Sequence, residues 1–244
     1  MELTKDHEQM HLDAQFNMAK MQNYYEWTLS FLQNNLGKRV WDAGAGIGIL
    51  ANIIRKKCDF LLLTEFGDEN LILLKKQFSD EKKILVEFCD LQNHENTDFS
   101  DLQIETILNM DVIEHLEDEL KALRFFYKTL SPGGRLLIKV PAHPFLFCGI
   151  DEASLHYRRY TKKMLRKCLE EAGFKIEKIK YMNFIGGFMY FIKGKILRKK
   201  VNFSRTMNKG SLSAMNKIIP VFMFLEKIFP VFFGLSVIAV AKKD

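Results

Sequence analysis

Val40-Trp41-Asp42-Ala43-Gly44-Ala45-Gly46-Ile47-Gly48 is the stretch on which the fold turns. Glycines set directly after a short apolar run let the backbone turn sharply and bring a ligand against the main chain. The register is G-x-G-x-G, because Ile49 stands where the dinucleotide pattern G-x-G-x-x-G needs its third glycine. Asp42, two residues before the first glycine, would repel a pyrophosphate but suits a cationic ammonium group. The plain alternative is a glycine turn that only packs a helix onto a strand.

Working outward, short apolar runs alternate with helical patterns. Strands are predicted over 39–42, 60–64, 83–88, 104–109 and 135–140, and helices over 47–57, 68–78 and about 117–130. Residues 131–134, Ser-Pro-Gly-Gly, read as a turn. Met21, Tyr24, Tyr25, Thr28, Phe31 and Leu32 recur at helical spacing before Gly37. A helix over 161–172 and strands over 174–182 and 234–242 complete the series. This alternation implies an α/β fold, a parallel sheet wrapped on both faces. About 50 residues separate the last two strands, far more than a hairpin needs. The expected division is therefore 1–182 with 234–244 as one body and 183–233 as a helical insertion capping it.

The 244 residues are 48% hydrophobic and 27% charged, which fits one large domain and excludes wholesale disorder. Cys58, Cys89, Cys148 and Cys168 are widely spaced, so reduced thiols are expected rather than a disulfide framework or a zinc site. The opening MELTKDHEQMHLD has no apolar stretch of the secretory kind. The longest uncharged apolar run, 228–241, has 14 residues and contains Pro230 and Gly234, too little for a spanning helix. A cytoplasmic protein is expected. Its net charge of +6 is uneven: the 48 residues between Glu177 and Glu226 carry ten Lys or Arg and no acid.

Two further acids sit where strands should end. Glu65 closes the second strand, where a carboxylate can accept hydrogen bonds from vicinal ribose hydroxyls. Asp90 follows the third and could accept from an adenine amino group, with Leu91 offering its backbone N–H. Alone, each reads as a strand-end or capping acid; three at successive strand ends point to one ligand.

With these residues in place, the sequence resembles the class I S-adenosylmethionine-dependent methyltransferases. Asp42-Ala43-Gly44-Ala45-Gly46-Ile47-Gly48 matches their first motif, Glu65 their ribose-binding acid and Asp90 their adenine-binding acid. The resemblance implies a Rossmann-like seven-stranded sheet, S-adenosylmethionine as cofactor, and Met110 within the cofactor set alongside Asp42, Gly44, Ala45, Gly46, Glu65, Asp90 and Leu91. A narrower likeness is to a bacterial subgroup associated with glycan and polyprenyl-linked glycosyltransferases. It rests on Pro141-Ala142-His143-Pro144, Asp151-Glu152, His156-Tyr157-Arg158-Arg159-Tyr160-Thr161 and Gly234-Leu235-Ser236. Ala45 departs from the Cys many relatives have between the glycines.

The implied reaction is in-line displacement at a sulfonium methyl, which calls for alignment and desolvation. A base is needed only where the acceptor must lose a proton. His115 and His156 are the candidates, with Tyr157 orienting the acceptor and Arg158 binding a substrate anion. The bland reading of 156–160 is a salt-bridged helix entry with Thr161 as N-cap. Tyr24 and Trp27 could flank the sulfonium, though their spacing also fits core packing. If a helical turn starts at 111, Asp111, Glu114 and His115 share a face and could hold Mg²⁺ or Mn²⁺. The pattern resembles E-x-x-E-H of metal-dependent O-methyltransferases; equally, acids here suit a helix N-terminus with no metal. His143 is expected to shape a loop, and His7, His11 and His94 carry no signal.

The basic insertion is aromatic as well, with 184–192 leading into Lys193, Lys195, Arg198, Lys199 and Lys200, and 218–225 almost wholly apolar. It reads either as a lid over the substrate pocket or a dimer contact, or as an element lying on an anionic membrane surface, peripheral on the inner face. Nucleic acid is disfavoured because the aromatics form blocks rather than alternating with the basic residues. The expected acceptor is small or lipid-linked, a sugar or quinone-like ring. The other function classes are a non-catalytic S-adenosylmethionine-binding module at a membrane surface and a methyltransferase fold repurposed for other chemistry. The oligomeric state has no signature.

Overall fold

A computed structural model of the chain describes residues 5–31, 36–197, 209–229 and 231–244. Its strands are β1 Arg39–Ala43, β2 Phe60–Glu65, β3 Ile84–Phe88, β4 Ile104–Met110, β5 Leu130–Pro141, β6 Lys175–Met182 and β7 Ser236–Lys242. They form one seven-stranded sheet in the order β3-β2-β1-β4-β5-β7-β6. The first five run parallel, and β7 lies antiparallel between β5 and β6. The helices are α1 Lys5–Met18, α2 Gln22–Leu29, α3 Ile49–Ile54, α4 Asp68–Gln77, α5 Glu119–Thr129, α6 Gly149–Ala153, α7 Lys162–Glu171, α8 Phe184–Phe191 and α9 Lys209–Ile228.

Leu61-Leu62-Leu63 and Leu136-Leu137-Ile138 are fully buried, as central strands covered on both faces must be. Alternation along β1 sends Trp41 into the core under α5 and α7 and Val40 into the core under α2, α3 and α4. Trp41 donates from Nε1 to Thr64 Oγ1 at 2.8 Å, and Phe99, Phe125 and Phe126 meet its ring edge-on. The strand order reverses between β1 and β4, which opens a crevice at the carboxyl edge of the sheet.

Two local expectations change. The turn over 131–134 is absorbed into β5 as a bulge: Ile104 pairs with Leu130, and the ladder resumes with Thr106 opposite Arg135. Gly133 takes φ +76° to make room for the extra residues. Helix α3 is shorter than 47–57, because Gly48, at φ +78°, holds the chain out of helix until Ile49.

The insertion holds α8, one π-helical turn at Ile192–Ile196, and α9. Leu32, Arg198, Lys199 and Lys200 lie outside the described residues. Helix α9 packs along α2 through buried Leu212 and Ile219. Asn23 N–H donates to Asn216 Oδ1 at 2.9 Å, and Asn23 Nδ2 to the Asn216 carbonyl at 2.8 Å. The insertion is thus attached to the sheet's helical layer. Among the described residues, no helix is long and apolar enough to cross a membrane.

Candidate functional site

The glycine turn closes the crevice from one side. Gly44 and Gly46 sit at φ +83° and +56°, conformations that a side chain strains. The N–H groups of Gly44 and Ala45 both donate to the Thr64 carbonyl at 3.0 Å, tying the turn to β2. A Cβ at Gly44 would strike Val112 at 2.5 Å, and one at Gly46 would meet the Gln15 side chain at 3.2 Å, so α1 lies over the turn.

Asp42 is 1% exposed, and its Oδ2 meets no hydrogen-bond partner among the described residues. Burial, and then the neighbouring charge of Glu65, push its carboxyl up to about 7. Glu65 Oε2 accepts from the Gly46 N–H at 3.1 Å, and Oε1 lies 3.4 Å from Asn70 Nδ2. Burial raises the Glu65 carboxyl, while these donors pull it back. Because Ala43 pairs with Thr64 and Glu65 with Phe88, Asp42, Glu65 and Asp90 mark the ends of three adjacent strands. Asp90 is engaged in its own loop, accepting from Gln92 N–H at 2.8 Å and Asn93 Nδ2 at 2.7 Å. Leu91 is buried in the core, and Met110 at the end of β4 is half-buried.

On the other side of the crevice, Lys139 from β5 is buried and bonded to the carboxylate of Asp111. Its Nζ also reaches Tyr24 Oη at 3.3 Å. Burial opposes the lysine charge, but Asp111 overrides it and holds the ammonium form. Asp111 itself has φ +56°, and the turn after it, Ile113–His115, is 3₁₀. The anticipated helical face therefore does not form. Asp111 goes to Lys139, and His156 takes its place beside Glu114 and His115. One potential ligand atom from each of these three lies within 4.8 Å of the others.

Glu114 is fully buried, and neither carboxylate oxygen has a partner among the described residues. Burial, and then the charge of Asp111, raise its carboxyl well above the ordinary range. The Tyr157 N–H donates to the Glu114 carbonyl at 2.8 Å, which brings the 111–115 and 156–160 segments together. Asp151, which no sequence pattern marks for a role of its own, is the hub of this region. It receives His156 Nδ1 at 3.0 Å, Arg159 Nε at 2.6 Å, Tyr190 Oη at 2.7 Å and the Cys148 N–H at 3.0 Å. Burial alone would raise its carboxyl, but these donors bring it down to about 2. The rings of His115 and His156 meet edge-on at 4.6 Å. Arg158 pairs with Glu119 and donates to the Glu117 carbonyl at 2.8 Å, the salt-bridged helix entry, while Tyr157 stands 44% exposed beside it. Tyr24 and Trp27 are both core residues.

The orphaned oxygen of Asp42, beside a glycine turn with no room for side chains, fits the cationic end of an amino-acid ligand and not a phosphate. A separate recess of about 390 Å³ lies along α5, between His94 and Lys128, and includes none of these acids.

A family model described as a methyltransferase domain matches residues 18–179. A Mycolicibacterium smegmatis protein named "probable S-adenosylmethionine-dependent methyltransferase" is 24% identical over 143 residues, covering 58% of this chain and 53% of the relative. Phosphoethanolamine N-methyltransferase 1 of Zea mays is 29% identical over 120 residues, 44% of this chain and 22% of that one. The chain thus spans about half the length of the first relative and about a fifth of the second. Among solved structures, an S-adenosylmethionine-dependent methyltransferase from Mesorhizobium loti superposes with a TM-score of 0.59 at 13% identity, covering 88% of this chain and 97% of that one. Phosphoethanolamine N-methyltransferase 2 of Haemonchus contortus, in complex with S-adenosyl-L-methionine, gives 0.60 at 18% identity, covering 88% and 52%. These likenesses establish the shared fold.

Proposed function

The chain belongs to the methyltransferase-domain family, and from that premise we propose that it transfers the methyl group of S-adenosylmethionine to an oxygen or nitrogen of a small or lipid-linked acceptor, a sugar or quinone-like ring. The observation that carries this reading is the buried, unpartnered oxygen of Asp42 beside Glu65 at the glycine turn. When bound, S-adenosylmethionine supplies a methyl already activated on sulfonium. The residues then have to hold, align and dehydrate. Asp42 accepts the ammonium, Glu65 the ribose hydroxyls, and Gly44 and Gly46 let the ligand lie against the main chain. Asp90 keeps spare lone pairs for an adenine amino group, since a carboxylate offers about four acceptor sites.

His156 is the base. Its Nδ1–H points at Asp151, which fixes the tautomer and leaves the Nε2 lone pair for an acceptor proton. Buried Asp151 remains charged and steadies the imidazolium that forms. A second use of the same cluster is favoured by Glu114, whose two oxygens want a partner: Glu114, His115 and His156 as ligands for Mg²⁺ or Mn²⁺. Two nitrogen donors suit manganese better than magnesium. In that use His156 is a ligand and not the base. The named phosphoethanolamine relatives keep nitrogen among the acceptor atoms.

Incubating the protein with methyl-labelled S-adenosylmethionine and a panel of hydroxyl and amine acceptors tests the proposal. Labelled acceptor detected by mass spectrometry supports it. Cofactor binding with no labelled product across glycan, quinol and lipid-linked acceptors supports the non-catalytic alternative instead.

A further inference from the structure

We propose that the outer faces of α8 and α9 form a docking surface for an anionic lipid bilayer. This rests on the reading above for the acceptor alone, since it sets the methyl-transfer site at a membrane where lipid-linked acceptors reside.

Helix α9 has two apolar faces, and among the described residues only one of them is packed. At 100° per residue, Ile218, Val221, Phe224, Leu225, Ile228 and Phe229 fall within an arc of about 140°. Each of them is between 41% and 62% exposed. A different arc carries buried Leu212 and Ile219, which pack on α2. Soluble monomers rarely leave so many neighbouring apolar side chains in water.

Exposed apolar side chains stand on α8 as well. Glu226 of α9 accepts from the Phe184 and Asn183 N–H groups at 2.7 and 3.2 Å, so the start of α8 abuts the end of α9. There Phe184, Phe188 and Met189 are 49%, 53% and 40% exposed.

Charge decides the occupant. The 48 residues between Glu177 and Glu226 hold ten basic residues and no acid, and Glu226 itself is committed to capping α8. On the described part of the insertion the charges are Lys193, Lys195, Lys209, Lys217 and Lys227 against the single acid Glu226, and an apolar face with that balance matches an anionic interface. A second copy of the chain would set like charges against each other.

Helix α8 also connects this face to the site behind it. Tyr190, on the same helix, donates to Asp151, the carboxylate that orients His156. The docking helix therefore reaches the proposed base through a single carboxylate.

Flotation with vesicles tests the proposal, using phosphatidylcholine alone against phosphatidylcholine with added phosphatidylglycerol. The expected result is capture by the anionic vesicles only. Capture should weaken about tenfold when NaCl rises from about 0.1 M to about 1 M, which shortens the Debye length from ~10 to ~3 Å. The double substitution Phe224→Ser with Ile228→Ser, both on the exposed face, should lose capture and keep the wild-type melting temperature. The proposal is overturned by equal capture on neutral vesicles, by capture the double variant retains, or by no capture at all. It is equally overturned by a dimer that this variant dissolves, or by retention on RNA in place of vesicles. Calorimetry with S-adenosylhomocysteine on the same preparation, without vesicles, reads the cofactor assignment separately, so either can fail alone.

Discussion

The backbone N–H of Gly46 donates to Glu65 Oε2 at 3.1 Å, which makes the glycine turn after β1 and the acid ending β2 one hydrogen-bonded unit. Glu65 thereby has one oxygen fixed and the other turned toward Asn70. Glu65→Ala should weaken S-adenosylhomocysteine binding about 10- to 100-fold, the worth of one or two hydrogen bonds to a charged group. Calorimetry checks this; affinity within about threefold of wild type would remove Glu65 from the ribose role.

Asp42 makes the free protein less stable than it could be. Its carboxyl holds a proton up to about pH 7, whereas in the unfolded chain it loses one in the ordinary carboxylate range. Between those limits the unfolded state binds fewer protons, so stability falls as pH rises, and the loss is complete above about pH 7. Asp42→Asn cannot ionise. At about pH 8 it should melt above wild type by the equivalent of roughly 4 kcal/mol, about three pH units at ~1.4 kcal/mol each. The two proteins should converge below about pH 3, where wild-type Asp42 is protonated in both states. A variant that melts lower on the alkaline side contradicts this account of Asp42.

The same carboxyl ties ligand affinity to pH. An ammonium beside Asp42 requires the ionised form, so below about pH 7 binding must first release a proton. S-adenosylhomocysteine should bind more tightly as pH rises toward about 7, by up to about tenfold per unit, and level off above. Adenosine, which lacks the amino-acid end, should show no such slope. Parallel slopes for the two ligands would place the cation away from Asp42.

Much of this site is legible in the sequence, because its parts are set by strand ends. The glycine register and the acids at 42, 65 and 90 each follow an apolar run, and parallel strands align their carboxyl ends whatever the loops do. Legibility stops where remote segments meet. Asp151 and Tyr190 lie 39 positions apart and join only because α8 folds back over α6. The spacing of Asp111, Glu114 and His115 implies a helical face, but a left-handed Asp111 and a 3₁₀ turn redirect the first of them to Lys139. Asp90's bonds to Gln92 and Asn93 are an Asx turn that its neighbours could have signalled. Helix α1 leaves no sequence signal because Lys5–Met18 has little apolar periodicity.

His156→Ala should lower turnover on a hydroxyl or ammonium acceptor by about 10²–10⁴-fold, the usual worth of a positioned base, and leave cofactor affinity unchanged. Tyr190→Phe removes one of the donors to Asp151 and should cost less, with its effect in kcat and not in cofactor binding. Near-normal turnover in His156→Ala takes the base role from this residue.

Metal dependence separates the two uses of the Glu114 cluster. If Glu114, His115 and His156 hold an ion, EDTA should abolish turnover and Mn²⁺ should restore it. Titration of Mn²⁺ followed by its own resonance signal should then show one bound ion, lost in Glu114→Gln. Unchanged turnover in EDTA assigns His156 to proton transfer.

The central claim is that the glycine turn and its acids receive a cationic adenosyl amino acid and not a phosphate-bearing dinucleotide. Calorimetric titration of the wild-type protein with S-adenosylhomocysteine and, separately, with NAD tests it most directly. One saturable site for S-adenosylhomocysteine, weakened by Glu65→Ala, and no heat with NAD is the predicted result. Saturable NAD binding, or no binding of S-adenosylhomocysteine, would contradict it.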